Sequence, residues 1–179
     1  MVIVLIYKCT LMKWTLLLVL GFGSISTGFS QYRSDYNWAV GLRAGATGAT
    51  CGLTVKAFVS ESAALEGIIG YWHGGFTGTA LFEYHFTAFN SRSIKWYMGG
   101  GGHYTQATGY GKSYIIDQRG SDYVDGGAGY GIDGVLGLEY KVPVAPVAFS
   151  FDLKPSMELN SYGGFTMALD PGLSVKLAF

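Results

Sequence analysis

The stretch GLSVKLAF, Gly172 to Phe179, contains the pattern that decides the fold of this chain. Leu173, Val175, Leu177 and Phe179 are apolar, whereas the residues between them are small or charged. Side chains of a β-strand point alternately to its two faces, so this stretch predicts a strand with one wholly apolar face. Such a face either packs inside a soluble sheet or contacts lipid, and the rest of the sequence has to distinguish the two.

The composition is typical of a folded chain that carries few charges. The 179 residues are enough for one domain, and they include 28 Gly and 13 Tyr. Charged residues make up only 13% of the chain, about half of the usual share, and the formal net charge is zero. A disordered chain has the opposite composition, and a nucleic-acid-binding protein usually carries a basic surface. We therefore expect no nucleic-acid partner.

The N-terminal region predicts export. Residues 12–31 contain one lysine, an apolar run at 16–20, and then small and polar residues, which is the order found in a secretory signal peptide. Glycines end the apolar run well before the roughly 20 residues that a membrane-spanning helix needs. We predict a signal peptide over residues 1–30, with Met12 as an alternative natural start, and a mature outer-membrane β-barrel over 31–179.

Beyond this leader, alternation between apolar and small or polar residues recurs in eight segments and predicts eight strands. These segments lie at 36–45, 51–59, 62–72, 78–89, 93–104, 128–141, 146–156 and 172–179. Most are close to the ~9–11 residues that cross a bilayer at a tilt, and single-chain outer-membrane barrels have an even number of strands. The predicted fold class is all-β: an eight-stranded antiparallel up-and-down transmembrane β-barrel.

The connections between these segments alternate in length. Those after the second, fourth and sixth segments are short, with the sequences SES, NSRS and VPVAP. The others are richer in glycine, and two are predicted to be long, at 105–126 and 159–171. Short turns at one end and long loops at the other are typical of outer-membrane barrels, so both termini are predicted to be periplasmic. Pro171 is expected to limit the upper end of the last strand.

The soluble alternatives are a lipocalin-like barrel and a β-sandwich, which direct their apolar faces inward. In this chain one face of the strands carries nearly all of the aromatic and branched aliphatic residues, and the other combines small residues with charges. The charged set consists of Arg43, Lys56, Glu66, Glu83, His85, Glu139, Asp152, Lys154 and Lys176. Side chains just fill the interior of an eight-stranded barrel, and buried charges need partners. We therefore predict that these residues form a mutually paired network inside a lumen, with four cations balancing four acids.

Several stretches resemble a known class of proteins: VGLRAG, ALFEYH, WYMGGGGHY, GIDGVLGLEYKVP and the final GLSVKLAF. Together they resemble the small eight-stranded outer-membrane β-barrel proteins, the class of OmpX and of the OmpA transmembrane domain. This resemblance implies a location in the cell outer membrane of a Gram-negative bacterium, in contact with its lipid. It also implies an assembly signal, read by the barrel-assembly machinery, at Leu173, Val175, Leu177 and Phe179.

Three functions fit such a barrel. The first is a non-enzymatic structural or surface-interaction role with a filled lumen, in which loop 105–126, rich in Tyr, Gly and Ser, contacts an extracellular protein or glycan. The second is a small ion or solute channel, and the third is a lipid-modifying enzyme. His73 and His103 lie near predicted strand tops, but two histidines are too few for a zinc site and nothing fixes their spacing from a nucleophile. We expect no catalytic residue, no metal and no cofactor.

Overall fold

The structure is a computed structural model that describes residues 36–46, 51–72, 75–107, 111–112, 122–123, 127–160 and 165–179. The predicted signal peptide at 1–30 and most of loop 105–126 lie outside these residues. The described part of the chain contains strands, turns and bends. It includes no helix long and apolar enough to cross a membrane.

Eight antiparallel strands form one closed barrel. They are β1 (Trp38–Gly45), β2 (Gly52–Phe58), β3 (Ala63–Trp72), β4 (Gly75–Ala88), β5 (Ser91–Ala107), β8 (Ala128–Lys141), β9 (Val147–Asn160) and β10 (Phe165–Ala178). The two-residue strands β6 (Gly111–Lys112) and β7 (Asp122–Tyr123) pair only with each other. β1 pairs with both β2 and β10, which closes the barrel and confirms the predicted eight-stranded fold.

The turns at 59–62, 89–90 and 142–146 lie at one end of the barrel, and the opposite end carries the long β5–β8 connection together with a connection of only two residues, 73–74, between β3 and β4. We call the end with the three turns the lower end and the opposite end the upper end. β1 begins at the lower end with Trp38, and β10 ends there beside Phe179, whose carbonyl accepts a hydrogen bond of 3.1 Å from the Trp38 N–H.

The last two strands are longer than predicted, so the long connection expected at 159–171 is wrong. Leu159 pairs with Phe165, and β10 continues through Pro171 to the lower end. The Pro171 carbonyl accepts a hydrogen bond of 2.8 Å from Ala46, just beyond the end of β1. Its nitrogen, which has no hydrogen to donate, therefore lies where the β1–β10 ladder stops, and a proline is tolerated at such an edge.

The two faces of the barrel differ sharply in polarity. Along β10 the outward residues Phe165, Leu169 and Leu173 are exposed, whereas the inward residues Asp170 and Lys176 are buried. The same alternation runs through the other strands: large apolar side chains lie outside, and the inside combines charged and small side chains with one buried cluster of Ile68, Leu81, Tyr97 and Val135. A soluble barrel has the reverse arrangement.

Inward-facing glycines allow the strands to approach closely around this narrow interior. A Cβ atom at Gly52 would overlap the carbonyl oxygen of Ile69, and one at Gly101 would overlap that of Ala80. The outward-facing Gly67 and Gly78 differ, because a Cβ at either position would have no atom within 4 Å. The requirement for glycine therefore holds at the inward positions and not at these two outward ones.

Candidate functional site

The barrel interior is the candidate site, and all nine predicted lumen residues are buried inside it. The structure distributes them, with additional residues, over three groups along the barrel. The lower cluster comprises Tyr36, Lys56, Glu66, Glu83, His85, Glu139 and Lys176. The Arg43 cluster comprises Arg43, Asp152 and Asp170. The upper cluster comprises His103, Thr105, Asp133, Lys154 and Glu158.

Lys56 is the centre of the lower cluster. Its Nζ lies 2.7 Å from a carboxylate oxygen of Glu83, 3.0 Å from Glu66 and 3.4 Å from Glu139. A carboxylate oxygen of Glu66 also lies 2.7 Å from the Nζ of Lys176. These contacts join five strands, β2, β3, β4, β8 and β10, and they compensate the desolvation of fully buried charges.

Aromatic rings pack around the ammonium group of Lys56. The Tyr97 ring turns its face toward Nζ, with its centroid 4.3 Å away, and the imidazole of His85 stacks on that ring at 5.1 Å. His85 Nε2 is 3.2 Å from Glu83. The charged groups and the ring faces thus fill the lower half of the interior together.

Tyr36 lies at the lower end of the interior, just before β1. Its hydroxyl donates a hydrogen bond of 2.6 Å to Glu139, and its ring meets the Phe58 ring edge-on at 5.1 Å. Burial and the Glu139 carboxylate both raise the pKa of the Tyr36 phenol, so it remains a hydrogen-bond donor. The prediction missed Tyr36 because the segment 36–45 was predicted as one strand, in which alternation puts Tyr36 on the outward face with Trp38; the strand begins only at Trp38, and Tyr36 is buried.

Arg43 connects the first strand to the last two. One terminal guanidinium nitrogen lies 2.5 Å from Asp152 on β9, and the other lies 2.9 Å from Asp170 on β10. Gly172 leaves room for this group, because a Cβ there would overlap the guanidinium. Asp170 was not among the predicted residues, since the sequence had assigned it to a loop.

His103 lies between two carboxylates in the upper cluster. Its Nδ1 is 2.9 Å from Asp133 and its Nε2 is 3.1 Å from Glu158, which also accepts a hydrogen bond of 2.9 Å from Thr105. A neutral imidazole has only one N–H to donate. Two carboxylate neighbours therefore require a second proton, either on the ring or on a carboxylate.

The upper cluster adjoins the Arg43 cluster through one cross-strand pair. Lys154 Nζ lies 3.3 Å from Asp133, and the backbone of Lys154 is directly opposite Asp170 in the β9–β10 ladder. Directly opposed residues on one face of a sheet are neighbours. Charged groups therefore follow one another from the Arg43 cluster to the upper cluster.

Five buried ionisable residues were absent from the predicted network: Lys95, His103, Asp133, Glu158 and Asp170. The alternation of side chains along a strand is the signal that identifies them. The number of each residue differs by an even number from that of an inward-facing residue on the same strand. With them, the buried side chains of the described interior include seven carboxylates and five Lys or Arg residues. The predicted balance of four against four is therefore wrong.

Each of the eight predicted Asp, Glu, Lys and Arg residues has an oppositely charged partner within 3.4 Å, and His85 Nε2 contacts Glu83 at 3.2 Å. Among the described residues, no group of three or more His, Cys, Asp or Glu is placed to hold a metal ion. His103 belongs to the interior network, and His73 lies outside the described residues. The interior is therefore a set of ion pairs, several of which join strands that are not neighbours in the barrel.

Comparisons with family models, with curated proteins and with solved structures found no match to this chain. The resemblance to small outer-membrane barrels stays a prediction from the sequence.

Proposed function

We propose that this protein is an integral outer-membrane β-barrel with a lumen filled by side chains, and that it is not an enzyme. Its role is structural or lies in surface interaction through the loops at the upper end, including contact of loop 105–126 with an extracellular protein or glycan. The lower end, with both termini, faces the periplasm. Residues 173–179 provide the contact for the assembly machinery.

The observation that carries this proposal is the polarity of the outer wall, by which we mean the outward-facing residues of the barrel strands. Across the described strands this wall is apolar, and Arg92, near the lower end of β5, is its only charged residue. Many large apolar side chains are exposed on it, among them Leu42, Ile69, Ile132 and Leu173. Lipid accommodates a continuous apolar wall of this kind, and a closed barrel leaves no unpaired strand edge in the lipid.

The height of this wall at its 14-residue strands, β4, β8, β9 and β10, fits a bilayer. β10 has 14 residues, which gives a length of about 46 Å at roughly 3.3 Å per residue. At a tilt of about 40° such a strand rises about 35 Å, enough to cross a hydrocarbon core of about 30 Å.

Aromatic residues gather toward both ends of the wall. The lower set consists of Trp38, Phe86, Trp96, Tyr140 and Phe149, and the upper set consists of Tyr71, Phe76, Tyr104, Tyr130 and Phe165. The rings of Phe86 and Trp96 stack at 4.5 Å, and those of Tyr104 and Tyr130 lie 5.1 Å apart. Two such belts are characteristic of the interfaces between membrane and water.

The paired interior favours a filled lumen over a channel. A conducting pore needs a continuous water-filled path, whereas here ion pairs and stacked rings occupy the barrel at the level of Lys56, Arg43 and His103. We therefore expect the folded protein to be electrically silent.

The experiment is to refold the chain over residues 31–179 and measure its conductance in a planar lipid bilayer. A heat-shift gel run in parallel reports whether the barrel has folded. A folded and silent barrel is the expected result. Discrete current steps from folded protein would favour the channel instead, and a chain that never gives a compact, heat-resistant form would contradict the barrel proposal.

A further inference from the structure

Each of the three short turns at the lower end presents one large apolar side chain to the outside. Val59 is 56% exposed, Phe89 is 81% exposed and Val144 is 95% exposed. Turns in contact with water are usually built from Gly, Asn, Asp, Ser and Pro. An exposed apolar side chain in each of the three turns therefore favours a partner other than water, although Ser60, Glu61 and Asn90 lie beside Val59 and Phe89.

The β8–β9 turn contains no polar side chain, since residues 142–146 read VPVAP. Its two prolines have no N–H group to satisfy. Lys141 Nζ donates to the carbonyls of Val142, at 3.0 Å, and Ala145, at 2.8 Å, and the Val142 N–H donates to Val147 at 2.9 Å. A turn that satisfies much of its backbone internally suits a surrounding with little water.

The β4–β5 turn holds an aromatic residue in an unfavourable backbone conformation. Phe89 and Asn90 have φ values of 52° and 54°. A two-residue hairpin with both φ angles positive favours Asn-Gly or Asp-Gly, and a bulky side chain is rare there. An exposed phenylalanine at such a position points to a contact made by its ring.

We propose that these turn tips, which we call the lower rim (Val59, Phe89 and Val144), are immersed in the headgroup–acyl boundary of the phospholipid leaflet at this end. Arg92 and Lys141 lie next to the rim, at the level of the lipid phosphates. This inference rests on the proposed function, because it requires the outer wall to be in lipid.

The distribution of the rim favours lipid over a protein partner. The β8–β9 and β4–β5 turns are neighbours around the barrel, since β8 pairs with β5, and the β2–β3 turn follows next. The apolar tips thus extend around much of the circumference and continue the apolar outer wall. Two cationic residues, Arg92 and Lys141, lie in strands beside these turns, and one acidic residue, Glu61, lies in the β2–β3 turn. The resulting small excess of positive charge complements lipid phosphate groups.

The test places an environment-sensitive fluorophore on single cysteines at the rim. In the chain over residues 31–179, which lacks Cys9, and in a Cys51→Ser background, Phe89→Cys and Val144→Cys are labelled and refolded into phosphatidylethanolamine–phosphatidylglycerol vesicles, with and without bromine on the acyl chains near the headgroup. Leu173→Cys, in the outer wall, is the membrane control. A heat-shift gel checks that each labelled variant has folded.

We expect brominated lipid to quench the rim labels to an extent comparable with the label at Leu173. Quenching at Leu173 without quenching at Phe89 and Val144 would overturn the rim inference and leave the membrane proposal standing, and a protein partner would then be the better candidate. Absence of quenching at all three positions in folded protein would overturn the membrane proposal itself, and the rim inference with it.

Discussion

Replacing Lys56 with methionine is expected to lower the free energy of unfolding by about 3–5 kcal/mol, the usual consequence of removing one partner of a buried ion pair. The Lys56 side chain is fully buried and lies within 3.4 Å of carboxylates from Glu66, Glu83 and Glu139. Its loss removes the cation that these three acidic groups share, while Lys176 stays 2.7 Å from Glu66. Urea unfolding of the vesicle-bound barrel, followed by the heat-shift gel, measures the change.

Two controls separate this effect from a general loss of charge. Arg92→Met also removes a cation, but an exposed one on the outer wall, so we expect a change within about 0.5 kcal/mol. The double variant Lys56→Met, Glu83→Gln removes one of the stranded carboxylates and should recover part of the loss. If Lys56→Met were as mild as Arg92→Met, the network would not be a stabilising feature of the interior.

Gly52→Ala is expected to destabilise the barrel by about 3 kcal/mol, at the upper end of the usual cost of overpacking. The added Cβ would overlap the Ile69 carbonyl oxygen, which belongs to the backbone of β3 and cannot rotate away. Gly67→Ala, on the outer face of the same hairpin, is the matched control. A Cβ there meets nothing within 4 Å, so its effect should stay within about 0.5 kcal/mol.

The same urea titration measures both glycine variants. Equal effects at the two positions would mean that strand propensity alone governs these glycines. That outcome would contradict the close inward approach of β2 and β3 at Gly52.

The number and order of the strands could be predicted because alternation is strong in every barrel strand, as in GLSVKLAF. The ends of the strands were predicted less accurately than their number and order. The sequence predicts Pro171 as a limit on the last strand, yet this residue is accommodated where the ladder to β1 stops. A proline can be assigned to a ladder edge only when the neighbouring strand and its register are known.

The candidate site could likewise be predicted only in part. The alternation along the strands assigned Lys56, Glu83 and Glu139 correctly to the inward face. It could not show that Lys56 meets Glu139, 83 residues away, because that contact depends on closure of the barrel and on the stagger between β2 and β8. Tyr36 could not be predicted at all, since its position depends on how the chain enters β1.

The most direct test of the central claim, that the outer wall faces lipid, is a spin-label scan along β10. Nitroxides at Phe165, Leu169, Leu173 and Leu177, all on the outward face, are introduced in a Cys51→Ser background and refolded into lipid vesicles. Collision with oxygen, which is concentrated in the bilayer, should be greatest at Leu169 and Leu173, while collision with a water-soluble nickel complex should be least there. Free access of the nickel complex to all four positions in folded protein would contradict the account.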